Sequence, residues 1–284
     1  MRWSKIAIIT GGGALPLKLA AACEARGDPF HMVRLVGYAD NAAQSWPGVD
    51  LHLGEVGKLS RVLKEEACDA IVMAGIVTRP DFSKLKLDWK AAALLPRIVA
   101  ASAKGDGAIL SAIVDMFEAD GIKVVGADEV AGDLTAATGQ LGVHQPNGQH
   151  FEDIKKAASV IRALGPYDVG QGAICANGLV LAIEAAEGTD AMLSRCALLP
   201  SELRGKPNER SGVLVKMPKP GQELRVDLPT IGLETIRRAS EAGLAGIAFA
   251  QGRALFVDAE EALAEADRNK MFVYGFSDVE INRQ

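Results

Sequence analysis

The sequence has little cysteine, little histidine and no excess of positive charge, and each shortage argues against a class of function. The four cysteines, Cys23, Cys68, Cys175 and Cys196, are far apart, lie in apolar surroundings and show no C-x-x-C spacing. This excludes a disulfide framework and predicts reduced core thiols. The four histidines, His31, His52, His144 and His150, form no H-E-x-x-H or other ligand-like cluster, which argues against a zinc site. With 31 Lys and Arg against 36 Asp and Glu, the formal net charge is -5 and the pI is near 5.5. A surface of that balance does not hold nucleic acid. Near the N-terminus the apolar run Ile6 to Ile9 is too short for a signal-peptide core or a membrane span, so a cytoplasmic protein is expected. No internal repeat or low-complexity tract is visible.

What is present is a long, apolar chain. At 284 residues and 49% hydrophobic it exceeds the usual size of one domain, so two are expected. The first begins "KIAIIT", a buried strand, then a glycine turn, then a helix through "PLKLAAACEARG" and a second apolar run, "FHMVRLV". The pattern continues with a helix at "LSRVLKEEA", a strand at "DAIVMAG", helices at "KAAALLPRIVAASA" and "AILSAIVDMFEAD", and a strand at "IKVVG". Alternating strands and helices predict a doubly wound, Rossmann-like α/β domain over residues 1–130. The rhythm fails from Ala127 to His150, and residues 131–150 are read as a linker. Residues 151–284 are read as a mixed α/β catalytic domain. It contains a hairpin, "GAICANGLVLAIEA", turned at Asn177-Gly178, and strands at "GVLVKM", "LRVDLP", "AGIAFA", "ALFVD" and "MFVYG".

Four stretches carry candidate chemistry. Gly11, Gly12 and Gly13 stand where a strand meets a helix, so their N–H groups are candidates to cradle phosphate. Pro16 replaces the third glycine of a dinucleotide fingerprint, and a tight turn before a proline-started helix is the plainer alternative. "KGDGAIL" offers Lys104 and flexible glycines to an anion, or is an ordinary helix connection with Asp106 as cap. In "IEAAEGTDAML", Thr189 or Asp190 suits a helix cap, but capping does not explain Glu184, which closes an apolar strand and requires a cation or a hydrogen-bond partner. The densest stretch is "VKMPKPGQELRVDLPTIG". Lys216, Lys219 and Arg225 supply cations, Glu223 and Asp227 carboxylates, and a strand would put Arg225 and Asp227 on one face. Acids that hold a hard cation, mixed with cations that neutralise phosphate, are what a magnesium-bound diphosphate needs.

These residues resemble a known family, the LpxI-type UDP-2,3-diacylglucosamine pyrophosphatases of lipid A biosynthesis. The similarity runs in order through "GGGALP", "KGDGAIL", "DVGQGAIC", "IEAAEGTDAMLSRC", "GVLVKMPKPGQELRVDLPTIG" and "AGLAGIAFAQGRALFVD", nearly the whole chain. The resemblance implies an enzyme that hydrolyses the diphosphate of UDP-2,3-diacylglucosamine to UMP and 2,3-diacylglucosamine 1-phosphate. It also implies metal dependence, on Mg²⁺ or else Mn²⁺ or Co²⁺, and work in the cytoplasm at the periphery of the inner membrane. One departure is visible: the family pattern Q-D-x-R-x-D has Glu223 after Gln222 here, which makes Asp227 the safer carboxylate.

The combined reading makes Asp227 a metal ligand or water-positioning base, with Glu184 and Asp190 assisting it as further ligands or as supports behind them. Lys216 and Arg225 contact the diphosphate, Lys219 and Thr189 bind substrate, and Gln171 and Gln222 orient it. Gly11, Gly12 and Gly13 contact phosphate from the first domain, which places the reaction in an interdomain cleft that closes. "KAAALLPRIVAASAK" has a wide apolar face and is read as a core helix, with lipid contact as the other reading. A symmetric dimer is expected only as the commonest assembly. Two rival functions remain, a dinucleotide-dependent oxidoreductase and a non-catalytic sugar-nucleotide or lipid-binding protein.

Overall fold

The structure is a computed structural model and describes residues 2–282 apart from 79, 104 and 136. Lys104, the candidate anion contact in "KGDGAIL", lies outside the described residues. Packing divides the chain into two units, Met1–Gly132 with Glu223–Asp227, and Asp133–Gln222 with Leu228–Gln284.

The first unit is the expected parallel α/β layer. Its elements in chain order are β1 (Ile6–Thr10), α1 (Ala14–Arg26), β2 (Phe30–Leu35), β3 (Gly48–Leu51), α2 (Val56–Glu65), β4 (Ala70–Ala74), α3 (Trp89–Ser102), α4 (Asp106–Ala119), β5 (Lys123–Val124) and α5 (Ala127–Val130). The strands lie in the order β3-β2-β1-β4-β5, every pairing parallel. Every residue of β1 is buried, because a central parallel strand is covered on both faces and must be apolar throughout. Asp88 fastens two helices: its Oδ1 accepts from the Ala91 N–H at the start of α3, and its Oδ2 accepts from Gly57 N–H in the first turn of α2, at 2.9 and 2.6 Å.

The core-helix reading of α3 needs correction. Ala91 and Ile98 are buried, but Trp89 is 79% exposed and Val99 50%, and Ala92, Ala93, Pro96 and Ala100 are exposed with them. Apolar residues run round the whole helix, and only one side of it meets the domain. No helix among the described residues is long and apolar enough to cross a membrane.

The second unit is built on a mixed sheet. It contains β6 (Gly139–Gln140), α6 (Gly148–Leu164), β7 (Gly172–Ala176), β8 (Leu179–Ile183), α7 (Gly188–Ala197), α8 (Ser201–Arg204), and β9 (Gly205–Lys206) paired with β10 (Glu209–Arg210). Then follow β11 (Val213–Lys216), β12 (Thr230–Ile231), α9 (Leu233–Glu241), β13 (Gly246–Ala250), β14 (Leu255–Phe256), α10 (Ala259–Arg268), β15 (Phe272–Phe276) and α11 (Asp278–Asn282). The main sheet has the order β6-β15-β13-β11-β7-β8. Strands β11, β13 and β15 are parallel, while β6, β7 and β8 pair antiparallel. One face packs on α6 through Ile154, Ala157 and Ile161. The other packs on α7, α9 and α10 through Met192, Ile236 and Ala262.

The Asn177-Gly178 hairpin forms as expected, with φ of 50° and 78° at the two turn residues. Its brace was not foreseen. Asp153, wholly buried on α6, accepts the Asn177 N–H at 3.0 Å and the Gly178 N–H at 2.7 Å. The 131–150 stretch, read as a linker, is fastened to the second unit: β6 pairs with β15, and the Val143 N–H donates to the Asp267 carboxylate at 2.9 Å. "LRVDLP" is not a strand. The Val226 and Asp227 N–H groups both donate back to the Glu223 carbonyl, so the segment is a tight turn, and the one-face argument for Arg225 and Asp227 fails.

Candidate functional site

The second sheet gathers its polar side chains at one edge. Strands β11 and β13 end there, β7 begins there, and Lys216, Gly172 and Phe249 lie opposite one another in the ladder. The carboxyl ends of parallel strands are where open α/β sheets bind ligands, since the loops that follow are free to carry chemistry. Glu184 joins this row because its N–H donates to the Gly172 carbonyl at 2.9 Å, one residue beyond the end of β8.

Lys216 is the centre of the cluster. It is only 3% exposed, and its Nζ donates to Glu184 Oε2 at 3.0 Å and to Thr189 Oγ1 at 2.6 Å. An ammonium is taken out of water only when partners replace its hydration, and a carboxylate with a hydroxyl does so here. Thr189 stands in the first turn of α7, whose N-terminus receives no side-chain cap. The Glu187 carboxylate turns to Arg195 instead, at 2.7 Å, and that hydrogen bond holds it below the usual carboxylate range. The edge thus offers a buried cation beside the positive end of a helix dipole, an arrangement suited to phosphate oxygens.

Further along the same connection, Lys219 donates to the Asp168 carboxylate, and the Lys219 N–H donates to Gln222 Oε1 at 2.8 Å. Gln171 lies beside Gly172, and its carbonyl accepts the Met217 N–H at 3.0 Å. Of the expected substrate residues, Lys216 at the end of β11, Thr189 at the start of α7, and Lys219, Gln171 and Gln222 in connecting segments all belong to the second unit, and Glu184 stands with Lys216 and Thr189. Among the described residues Asp190 shares no ion pair or hydrogen bond with Lys216; its carboxylate approaches Arg238 Nε at 3.7 Å.

Arg225 and Asp227 pack with the first unit. Arg225 grips the Glu223 carboxylate through Nε at 2.9 Å and a terminal nitrogen at 2.8 Å, and reaches Glu118 at the end of α4 with the other. The Glu223 hydrogen bonds hold the guanidinium well above its ordinary pKa and lower the Glu223 carboxyl. This is a clasp for the excursion, so the expected role of Arg225 on the diphosphate competes with two carboxylates. Asp227 is partly buried at the end of the same turn.

The glycine turn also departs from expectation. Gly11 donates to the Ala74 carbonyl at 2.9 Å, Gly12 to the Ile76 carbonyl at 3.0 Å, and Gly13 to Asp40 Oδ2 at 2.7 Å. All three amides expected to cradle phosphate are engaged, the last by a carboxylate. What Gly11 secures is close approach, since a Cβ there would lie 2.4 Å from the Ile76 carbonyl oxygen.

Among the described residues no three His, Cys, Asp or Glu side chains gather into a metal-holding group. Glu184 is neutralised by Lys216 and Asp190 faces Arg238, so neither presents an unshared carboxylate.

One residue at the edge escaped sequence reasoning. Gln251 follows β13 directly, and its Oε1 is buried without a hydrogen-bond partner among the described residues. The signal that singled out Glu184, a polar residue closing an apolar strand, applies to Gln251 as well.

A family model described as the LpxI N-terminal domain matches residues 5–134, and one described as the LpxI C-terminal domain matches residues 137–274. The chain is also 50% identical over 271 residues to UDP-2,3-diacylglucosamine pyrophosphatase LpxI of Caulobacter vibrioides, an alignment covering 95% of this chain and 97% of that protein.

Proposed function

The chain belongs to the LpxI family, and from that premise we propose that it hydrolyses the diphosphate of UDP-2,3-diacylglucosamine to UMP and 2,3-diacylglucosamine 1-phosphate in lipid A biosynthesis. The observation that carries the chemistry is the buried Lys216 at the uncapped start of α7. An ammonium has three protons, and Glu184 and Thr189 take two of them. The third is assigned to a phosphoryl oxygen, where a fixed charge in a dry site stabilises the transition state without having to reorganise. Lys219, held by Asp168, and Gln222, which shapes the turn at Lys219, flank the same substrate. The acyl chains of that substrate keep the enzyme's work at the cytoplasmic face of the inner membrane.

Asp227 is the carboxylate we assign to the attacking water or to a divalent cation. Were Mg²⁺ bound, Asp227 would hold it together with oxygens of the diphosphate, because the other expected ligands are ion-paired. Bound there, the ion supplies charge neutralisation on the phosphoryl oxygens. The test is UMP release from UDP-2,3-diacylglucosamine with Mg²⁺, with and without EDTA, repeated on Asp227→Ala. A fall of at least about 100-fold with substrate binding retained is expected. Near-normal turnover of the variant overturns the role of Asp227. Absence of UMP from the native protein, together with a thermal shift on adding NAD(P), would favour the oxidoreductase reading.

A further inference from the structure

We propose that Gln251 is a substrate-binding residue of this site, its carboxamide oxygen accepting a hydrogen bond from a hydroxyl or N–H of the sugar nucleotide. The inference rests on the diphosphate-hydrolysis reading and adds to it a contact that neither the family matches nor the relative's name assigns.

Three observations converge on Gln251. The first is place. Its N–H donates to the Phe276 carbonyl at 3.0 Å, the bond that closes the ladder between β13 and β15. It stands two residues after Phe249, which lies opposite Lys216 in the register. One strand across and two residues further along the chain put the two Cα atoms within roughly 8 Å at one sheet edge. That separation suits two groups holding different parts of one sugar nucleotide.

The second is chemistry. Oε1 is shut off from solvent and receives no donor from the described residues. A buried acceptor left unpaired costs stability, and native proteins keep few of them. Of the four buried side-chain atoms in that state, His31 Nε2, Arg210 Nε and Arg238 Nε belong to side chains tied elsewhere by ion pairs or hydrogen bonds. Gln251 alone among them directly follows β13, the strand that pairs with β11 and ends beside Lys216.

The third is support. The turn that carries Gln251 is pinned on both sides: the Arg253 N–H donates to the Ala250 carbonyl, and the Arg253 guanidinium pairs with Asp278 at 2.6 Å. Just beyond, the Leu255 N–H donates to the Pro229 carbonyl at 2.8 Å, so the turn is tied to the segment that follows Asp227 in the chain. A side chain on so fixed a turn is already oriented before a ligand arrives, which is how binding groups avoid an ordering cost.

The experiment replaces Gln251 by Met, similar in length and unable to accept a strong hydrogen bond. If the oxygen waits for substrate, the free variant unfolds at the same or a higher temperature than the native protein, because an unpaired acceptor has been removed. At the same time KM for UDP-2,3-diacylglucosamine rises about 5- to 10-fold while kcat stays within about twofold. Thermal shifts with UMP alone and with 2,3-diacylglucosamine 1-phosphate alone then say which half makes the contact, since only that product's shift shrinks. An unchanged KM in an active, folded variant overturns the inference, because water or the protein itself then satisfies the oxygen. Should Gln251→Met fail to fold, Gln251→Leu is measured in its place, and a failure of both overturns the inference in favour of a purely structural role. A native protein that releases no UMP defeats the underlying reading instead, and the two failures are distinct.

Discussion

Gly172→Ala is the sharpest test of the Lys216 cluster. A Cβ at residue 172 would lie 2.4 Å from Glu184 Oε2 and 3.3 Å from both Lys216 Cδ and Met192 Cε. The backbone cannot retreat, because Gly172 is paired with Lys216 in the sheet and accepts the Glu184 N–H. The atom that yields is the carboxylate at the end of a flexible side chain, and when it moves it leaves Lys216. Side-chain exposures of 4% for Lys216 and 13% for Glu184 mean that water screens this pair weakly. A hydrogen bond between charged groups is worth about 1.5–3 kcal/mol, and the upper range of about 3–5 kcal/mol for an abandoned buried charge is avoided if the carboxylate swings towards solvent. For a unit of this size that loss lowers Tm by about 4–10 °C. Turnover should fall with it, since Lys216 is left on Thr189 alone. The assay is thermal unfolding and UMP release, with Gly148→Ala as a control, because a Cβ at residue 148 meets nothing within 4 Å. In a Glu184→Ala background the colliding atom is gone and Gly172→Ala should cost little. An equal cost in both backgrounds, or less than about 0.5 kcal/mol in the native one, refutes the reasoning.

Asp153→Ala should destabilise the protein by about 2–4 kcal/mol, read from urea unfolding, because two turn N–H groups of the hairpin lose a wholly buried carboxylate. For Asp88, burial pushes the carboxyl up, but the backbone N–H groups of Ala91, Lys58 and Gly57 outweigh it and leave it below its ordinary value. A depressed carboxyl contributes stability that is present above the unfolded pKa, near 4, and is lost as pH falls through the lower folded value. Asp88→Asn should therefore flatten the acid limb of a stability–pH curve, and an unchanged limb refutes the double cap. Arg225→Met should release the clasp on the excursion and speed hydrogen exchange at the Val226 and Asp227 amides by about tenfold, with the β13 amides unaffected.

Much of the fold was legible because local pattern and global architecture agree. Uninterrupted apolar runs such as Ile6 to Ile9 mark strands covered on both faces, and the first sheet contains them where expected. β3 escaped because four residues at a sheet edge carry too little pattern to separate from a loop. The exposed face of α3 escaped for a different reason: a helix apolar all round has no period from which to read which side is covered.

The site was legible where its residues end buried strands and illegible where they fold back. Lys216 and Glu184 are polar residues on otherwise apolar strands, so burial demanded a partner, and each proved to be the other's. In "LRVDLP" the same alternation of polar and apolar residues misled, because a period of two over six residues is also produced by a tight turn that sends Val226 into a core and Arg225 to two carboxylates. What distinguishes the cases is length and flanks. Val213–Lys216 continues a hydrophobic run, whereas Leu224 to Pro229 has Gly221 before it and proline at its end, both signals of a chain about to turn. The consequence bears on catalysis. A strand would have fixed Asp227 and Arg225 in one rigid row, but here Asp227 ends a turn that is clasped through the grip of Glu223 and Glu118 on Arg225. Substitution of either glutamate is therefore expected to lower kcat through Asp227 without touching the Lys216 cluster.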